Sequence, residues 1–89
     1  MRLSETVRIV NRKGLHARAS ARFVTAAHEL PADVTVEKDG MSAPGRSIMS
    51  LMMLGAAKGD EVTIHAEGEG ARASLDTLAA LIRDGFGED

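Results

Sequence analysis

The sequence contains no cysteine, two prolines and only two aromatic residues, Phe23 and Phe86. Without cysteine, the chain forms no disulfide and offers no thiolate to a metal ion. Proteins that bind single-stranded nucleic acid stack its bases on aromatic side chains, and this chain has almost none. These absences argue against a disulfide-stabilised domain, a thiolate metal site and a nucleic-acid-stacking module.

Charge of one sign and long hydrophobic runs are also missing. Eleven basic and 13 acidic residues are mixed along the chain and give a net charge of −2. No basic block or basic helix is present, so binding to nucleic acid or to a membrane surface has no electrostatic basis. No apolar run approaches transmembrane length, and the first six residues lack the apolar core of a signal peptide. We therefore expect a cytoplasmic protein without a metal or other cofactor.

The length and the hydrophobic content fit one small globular domain, residues 1–89. Hydrophobic residues make up 44% of the 89 positions, too many for a disordered chain. A domain of this size forms one core and has little room for a deep substrate cavity. A functional site is therefore expected at the surface.

Apolar periodicity and glycines divide the chain into seven elements in the order β-α-β-β-α-β-α. Alternating apolar and polar residues predict the strands, and apolar residues at helical spacing predict the helices. Asp39-Gly40 predicts a two-residue hairpin turn between the second and third strands. The predicted strands are 6–10, 33–37, 41–43 and 61–66, and the predicted helices are 16–28, 48–54 and 71–84.

The alternation within each strand predicts how these elements pack. One face of the sheet must be solvated, so the three helices must cover the other face. This predicts an α+β fold, a two-layer open-faced sandwich with a mostly antiparallel four-stranded sheet. We expect the last strand to lie between the first and second, as in a split βαβ unit.

His16 is the first candidate site residue because it stands where the first helix is predicted to begin. The positive end of the helix dipole disfavours imidazolium, and a neutral imidazole is a nucleophile. A phosphoryl group on the ring would lie beside free backbone N–H groups, and Arg18 could add charge-assisted hydrogen bonds. Gly14 allows a tight bend before the helix. From these residues alone, a histidine without a function is the favoured alternative, since no Asp or second His lies nearby in the sequence.

Two sequence motifs resemble those of the HPr family, the histidine phosphocarriers of the bacterial phosphoenolpyruvate-dependent phosphotransferase system. One is G-L-H-A-R-A-S at 14–20, preceded by V-R-I-V-N, and the other is R-S-I-M-S-L-M-M-L-G-A-A-K-G-D-E-V-T-I at 46–64. The resemblance implies that His16 is phosphorylated on Nδ1 by phosphorylated enzyme I and that Arg18 assists. The acceptor would be an EIIA-type domain. The protein would then be a carrier rather than an enzyme. Ala19 stands where many members have proline, and we do not expect this to abolish carrier activity.

The same resemblance assigns a regulatory role to Ser47, which precedes the second predicted helix. In the family, HPr kinase/phosphorylase phosphorylates a serine at this place. A helix N-terminus tolerates a phosphate, and the added charge would change the surface where a partner docks. The alternative is that Ser47 only caps the helix.

The second helix has more apolar residues than one buried stripe requires. Spacing assigns Ile48, Leu51 and Leu54 to the core, so Met49, Met52 and Met53 cannot all be buried. Exposed methionines form adaptable contact surfaces, and the family docks enzyme I and its acceptors here. Arg46 would add a charged rim that steers acidic partners. Alternatively, the methionines fill an irregular core. The candidate partner-binding residues are Arg46, Ile48, Met49 and Met52.

The remaining ionisable candidates are interpreted as structural or solvated. His28 lies at the end of the first predicted helix, and His65 lies on the outward face of the last strand. The acidic tail Glu88-Asp89 is expected to be frayed. A shuttle between partners is expected to be a monomer.

Two alternatives to the carrier hypothesis remain open. The chain could be a regulatory protein-interaction module of a nitrogen-related phosphotransferase branch that does not feed sugar uptake. The stretch M-S-L-M-M-L-G-A-A resembles proteobacterial members of this kind. The chain could also be a binding module with the same fold in which His16 is dispensable, since fold does not fix function.

Overall fold

The computed structural model describes residues 2–88, and its elements follow the predicted order. The strands are β1 (Arg2–Arg8), β2 (Asp33–Lys38), β3 (Met41–Pro44) and β4 (Glu61–Glu67). The helices are α1 (Ala17–His28), α2 (Ile48–Met53) and α3 (Ala71–Arg83), and α3 is followed by a 3-10 turn, Gly85–Gly87. The order and type of all seven predicted elements are confirmed.

The largest error in the predicted boundaries concerns β1. The strand was expected at 6–10, but it runs from Arg2 to Arg8, because residues 2–5 pair with the end of β4 from Glu67 to Ile64. Val10 lies outside the strand and is exposed. The apolar alternation locates the buried part of a strand, whereas pairing with a neighbour determines its full length.

The sheet order within residues 2–88 is β1-β4-β2-β3, and its three pairings are all antiparallel. The last strand therefore lies between the first and second, as predicted. Asp39 and Gly40 both have positive φ angles, 51° and 84°, which is the geometry of a type I′ hairpin turn. The end of β1 and the start of α1 are joined by a short loop and lie at one end of the sheet.

The helices cover one face of the sheet, and the other face is polar. The apolar side chains of the strands pack against the helices. The helices contribute buried apolar stripes that include Phe23 in α1 and Leu75 and Ile82 in α3. The open face has hydrogen-bonded side chains from three strands, such as Ser4, Glu37 and His65. This is the predicted open-faced α+β sandwich. Within residues 2–88, no helix is long and apolar enough to cross a membrane.

Candidate functional site

His16 is the N-cap residue of α1, as the sequence predicted for the helix start. Its backbone is extended (φ −75°, ψ −178°), and its carbonyl oxygen accepts the Ser20 N–H at 2.9 Å. The Nδ1 atom of the ring accepts a hydrogen bond of 3.2 Å from the Arg18 backbone N–H. Because a backbone N–H can only donate, Nδ1 has no proton and presents its lone pair at the helix N-terminus.

The other ring nitrogen contacts an unexpected residue. Nε2–H of His16 donates to Glu88 Oε2 at 2.9 Å, and the side chains are 24% and 15% exposed. Asn11, which is buried, donates from Nδ2 to Glu88 Oε1 at 3.2 Å and to the Gly14 carbonyl at 2.8 Å. The expectation of a frayed tail is therefore wrong for Glu88, because these two donors hold its carboxylate. Asp89 lies outside the described residues.

Opposing effects set the ionisation of Glu88. Desolvation raises the pKa of this carboxyl group, but hydrogen bonds from Asn11 and His16 and the nearby charge of Arg22 lower it. The net effect is a pKa below the ordinary value of 4.5. Glu88 therefore presents a negative charge to the His16 ring at neutral pH.

Basic side chains surround His16 in a shallow concavity of about 290 Å³. Sequence reasoning proposed Arg18, and the structure adds Arg12, Lys13 and Arg22 to the same wall. Arg22 also donates from Nη1 to the carbonyl oxygen of Phe86. The arrangement is suited to an anionic group, because four cationic side chains line the concavity around the His16 ring.

The sequence contained a signal for some of these additional residues. Asn11 continues the alternation of Val7 and Ile9, so the period of two places it on the buried face. Arg18 and Arg22 are four residues apart and share one face of α1. Glu88 had no such signal, because 72 positions separate it from His16.

Ser47 is the N-cap residue of α2, which confirms the structural part of its interpretation. Its Oγ accepts the Ser50 N–H at 3.2 Å and donates to Ser50 Oγ at 2.9 Å. Beside it, exposed Arg46 donates from Nη2 to the carbonyl oxygen of Leu30 at 3.3 Å. The cap geometry explains the position of Ser47 at the start of α2.

An exposed apolar surface covers the outer side of α2. The exposed fractions are 41% for Ile48, 68% for Met49, 40% for Met52 and 67% for Met53. This confirms that the methionines do not all fit in the core. The assignment of Ile48 to the buried stripe is wrong, because only Leu51 and Leu54 of that stripe are buried. Ile48 therefore belongs to the exposed surface, and the six residues of α2 are too few for their spacing to define a buried face.

The other histidines have no part in this site. His28 is exposed in the last turn of α1. His65 donates from Nε2 to Glu37 at 2.8 Å and accepts the Ser4 hydroxyl on Nδ1 at 2.6 Å, so it has a structural role on the open face. Among residues 2–88, no group of three His, Cys, Asp or Glu side chains is placed to hold a metal ion.

Comparisons of the sequence with known proteins all point to one family. A family model described as the PTS HPr component phosphorylation site matches residues 3–84. The phosphocarrier protein HPr of Neisseria meningitidis serogroup A is 40% identical over 86 residues, which are 97% of each chain. The phosphocarrier protein NPr of Shewanella violacea is 34% identical over 98% of this chain and 96% of the relative.

The solved structures agree in fold. The crystal structure of HPr-C-His from Thermoanaerobacter tengcongensis superposes with a TM-score of 0.93 at 38% identity and covers 98% of both chains. The two sequence motifs, the order β1-β4-β2-β3 and the family match over residues 3–84 lead to one assignment. The chain belongs to the HPr family of phosphocarrier proteins of the phosphotransferase system.

Proposed function

We propose that this protein accepts a phosphoryl group on Nδ1 of His16 from phosphorylated enzyme I and passes it to an EIIA-type acceptor. The observation that carries the proposal is the hydrogen bond from the Arg18 N–H to Nδ1, which requires an unprotonated Nδ1 at the helix start. This nitrogen is a nucleophile, and it faces a concavity with basic walls. The setting supports a surface carrier rather than an enzyme with its own substrate pocket, and we propose that the carrier acts in the cytoplasm.

The phosphoryl group would be stabilised by groups already in place. When Nδ1 bonds to phosphorus, the Arg18 N–H can donate to a phosphoryl oxygen instead of the ring. The Arg18 side chain supplies charge-assisted hydrogen bonds from the same wall. Phosphoryl transfer needs in-line approach and charge stabilisation more than covalent catalysis, so the partner can supply the rest of the positioning.

The outer surface of α2 and the hydroxyl of Ser47 would determine which partners bind. The apolar surface of α2, with Ile48, Met49 and Met52, supports transient docking of enzyme I and of the acceptor, and Arg46 supplies its charged rim. Ser47 would be the target of HPr kinase/phosphorylase, since its hydroxyl lies at the start of the docking helix. Rapid exchange of partners favours a monomer.

The experiment that tests the carrier function uses enzyme I and phosphoenolpyruvate. Wild-type protein, His16→Ala and His28→Ala are incubated, and the phosphate is located by mass spectrometry at neutral pH. We expect phosphate on His16 in the wild type and in H28A, and none in H16A. His28 is a matched control because it is an exposed histidine at the other end of α1. Phosphate on another histidine in H16A would contradict the proposal.

A role in a nitrogen-related branch is the second candidate, favoured by the 34% identity to an NPr protein over nearly the full chain. The two branches differ in the partners that exchange phosphate with His16. Phosphorylated protein is therefore offered to sugar-type and nitrogen-type EIIA domains in parallel. Faster transfer to the nitrogen-type domain would assign the chain to that branch.

A further inference from the structure

The segment after α3 returns to the start of α1 and holds a carboxylate against His16. Phe86 is buried in a left-handed conformation (φ 59°), and Gly87 follows with φ 74°. Arg22 fastens the segment by donating to the Phe86 carbonyl oxygen. Glu88 then reaches Nε2 of His16 at 2.9 Å, on the opposite side of the ring from the Nδ1 lone pair.

We propose that Glu88 is a positioning residue for phosphoryl transfer, which holds Nε2–H of His16 and offsets the charge that the ring gains when Nδ1 is phosphorylated. The inference rests on the proposed function of His16. It assigns a chemical role to a side chain that contacts the reactive ring without contacting the reacting nitrogen. The alternative that the experiment must exclude is a purely structural role, in which Glu88 only holds the segment after α3 against His16.

The charge on the ring follows from the balance of the transfer step. The Nδ1 lone pair forms the new N–P bond, while the N–P bond to the donor imidazole breaks and its electron pair returns to the donor nitrogen. No proton moves, so Nε2 keeps its hydrogen and the His16 ring becomes cationic. A carboxylate that accepts Nε2–H stabilises this form more than the neutral ring. The same contact also fixes the tautomer in which Nδ1 is unprotonated.

The surroundings explain why an acidic group is needed at this point. Arg12, Lys13, Arg18 and Arg22 line the concavity and favour the anionic phosphoryl group, but they disfavour a cationic ring. Glu88 is the acidic residue among those lining the concavity, and it lies on the ring nitrogen away from the phosphoryl site. The cations and the carboxylate thus serve different parts of phosphohistidine.

Glu88→Gln separates the charge from the shape, because glutamine keeps an oxygen that can accept Nε2–H. We expect kcat for phosphorylation by enzyme I to fall by about tenfold with little change in KM, as for the loss of one charge-assisted hydrogen bond. Glu69→Gln is the matched control, an exposed glutamate in the turn before α3.

A second variant disturbs the contact between Glu88 and His16 without changing the charge of either residue. A Cβ on Gly87 would lie 3.2 Å from Arg22 Nη1, and φ at this position is +74°. Gly87→Ala should therefore displace Glu88 and lower kcat as well. In the ¹⁵N spectrum of the His16 ring, the wild type and E88Q should both show a single Nε2–H tautomer, because each offers an oxygen to Nε2–H. Gly87→Ala, which displaces this oxygen, should show a mixture.

The outcomes separate this inference from the proposed function. If wild-type His16 takes no phosphate from enzyme I, the proposed function fails. If His16 is phosphorylated but folded E88Q keeps the wild-type kcat, the role of Glu88 fails alone. A rise in KM with unchanged kcat would also overturn it, since that result indicates a contact with the partner.

Discussion

The backbone N–H of Leu15 donates a hydrogen bond of 2.9 Å to the carbonyl oxygen of Ala56, which fastens the residue before His16 to the loop after α2. Gly14 makes this approach possible. Its φ is +62°, and a Cβ there would lie 2.3 Å from the Ala56 oxygen and 2.9 Å from Ala57 Cα. The position of the reactive ring thus depends on a contact between two backbones.

Gly14→Ala should be strongly destabilising. The left-handed conformation costs an alanine about 1–2 kcal/mol, and the backbone clash adds to this, so we expect a loss of more than about 2 kcal/mol. Urea unfolding measures it. Gly55→Ala is the control, because Gly55 has φ +67° with nothing within 4 Å of its Cβ position and should lose only the conformational part. Equal losses in the two variants would show that the approach to Ala56 is unimportant.

Glu88 should make stability depend on pH in the acid range. Its folded pKa lies below the ordinary value of 4.5, so its contribution is present above about that pH and is lost as the pH falls through the folded pKa. The difference in unfolding free energy between wild type and E88Q should therefore shrink on acidification. Urea titrations at neutral and acid pH measure this difference. A constant difference would mean that the charge of the Glu88 carboxylate does not stabilise the fold.

Ser47→Asp should slow phosphorylation of His16 by enzyme I several-fold. Aspartate is a good N-cap residue, so α2 should stay folded while a negative charge is added beside the docking surface. The initial rate with enzyme I and phosphoenolpyruvate is the measurement. Ser42→Asp places the same charge on exposed β3 as a control. An unchanged rate in S47D would remove the regulatory role of Ser47.

Replacement of Met49 and Met52 by serine should raise KM for enzyme I by about tenfold, the effect of losing ~1.4 kcal/mol of contact energy. Stability should change little, because neither side chain belongs to the buried core. Met41→Ser is the control, since Met41 is 51% exposed on β3 and lies off the proposed surface. If M41S raised KM equally, docking would not be specific to α2.

Most of the fold could be predicted because local patterns carry it. Val62, Ile64 and Ala66 alternate in β4, and all three are buried. Asp39-Gly40 fixes a hairpin through the φ angles that it tolerates. The start of β1 could not be predicted, because Arg2 joins the strand through its pairing with Glu67, a partner far away in sequence.

The candidate site was predictable only where its residues are neighbours in the chain. His16 and Arg18 share one helix start, so the motif at 14–20 brings them together. Glu88 reaches His16 through a left-handed turn at Phe86, and no local pattern announces such a return. Ile48 was misplaced because a two-turn helix has too few residues for its spacing to define a buried face.

The N-cap geometry of His16 has a consequence for recognition. The Arg18 N–H, which would donate to a phosphoryl oxygen, already points at Nδ1, so we expect phosphorylation to require no rearrangement of the backbone there. We therefore expect the loaded and empty carrier to have nearly the same shape. The donor must release the phosphorylated form, and the acceptor must bind this form in preference to the empty one. Both would therefore have to distinguish the two forms by the electrostatic potential around a single ring.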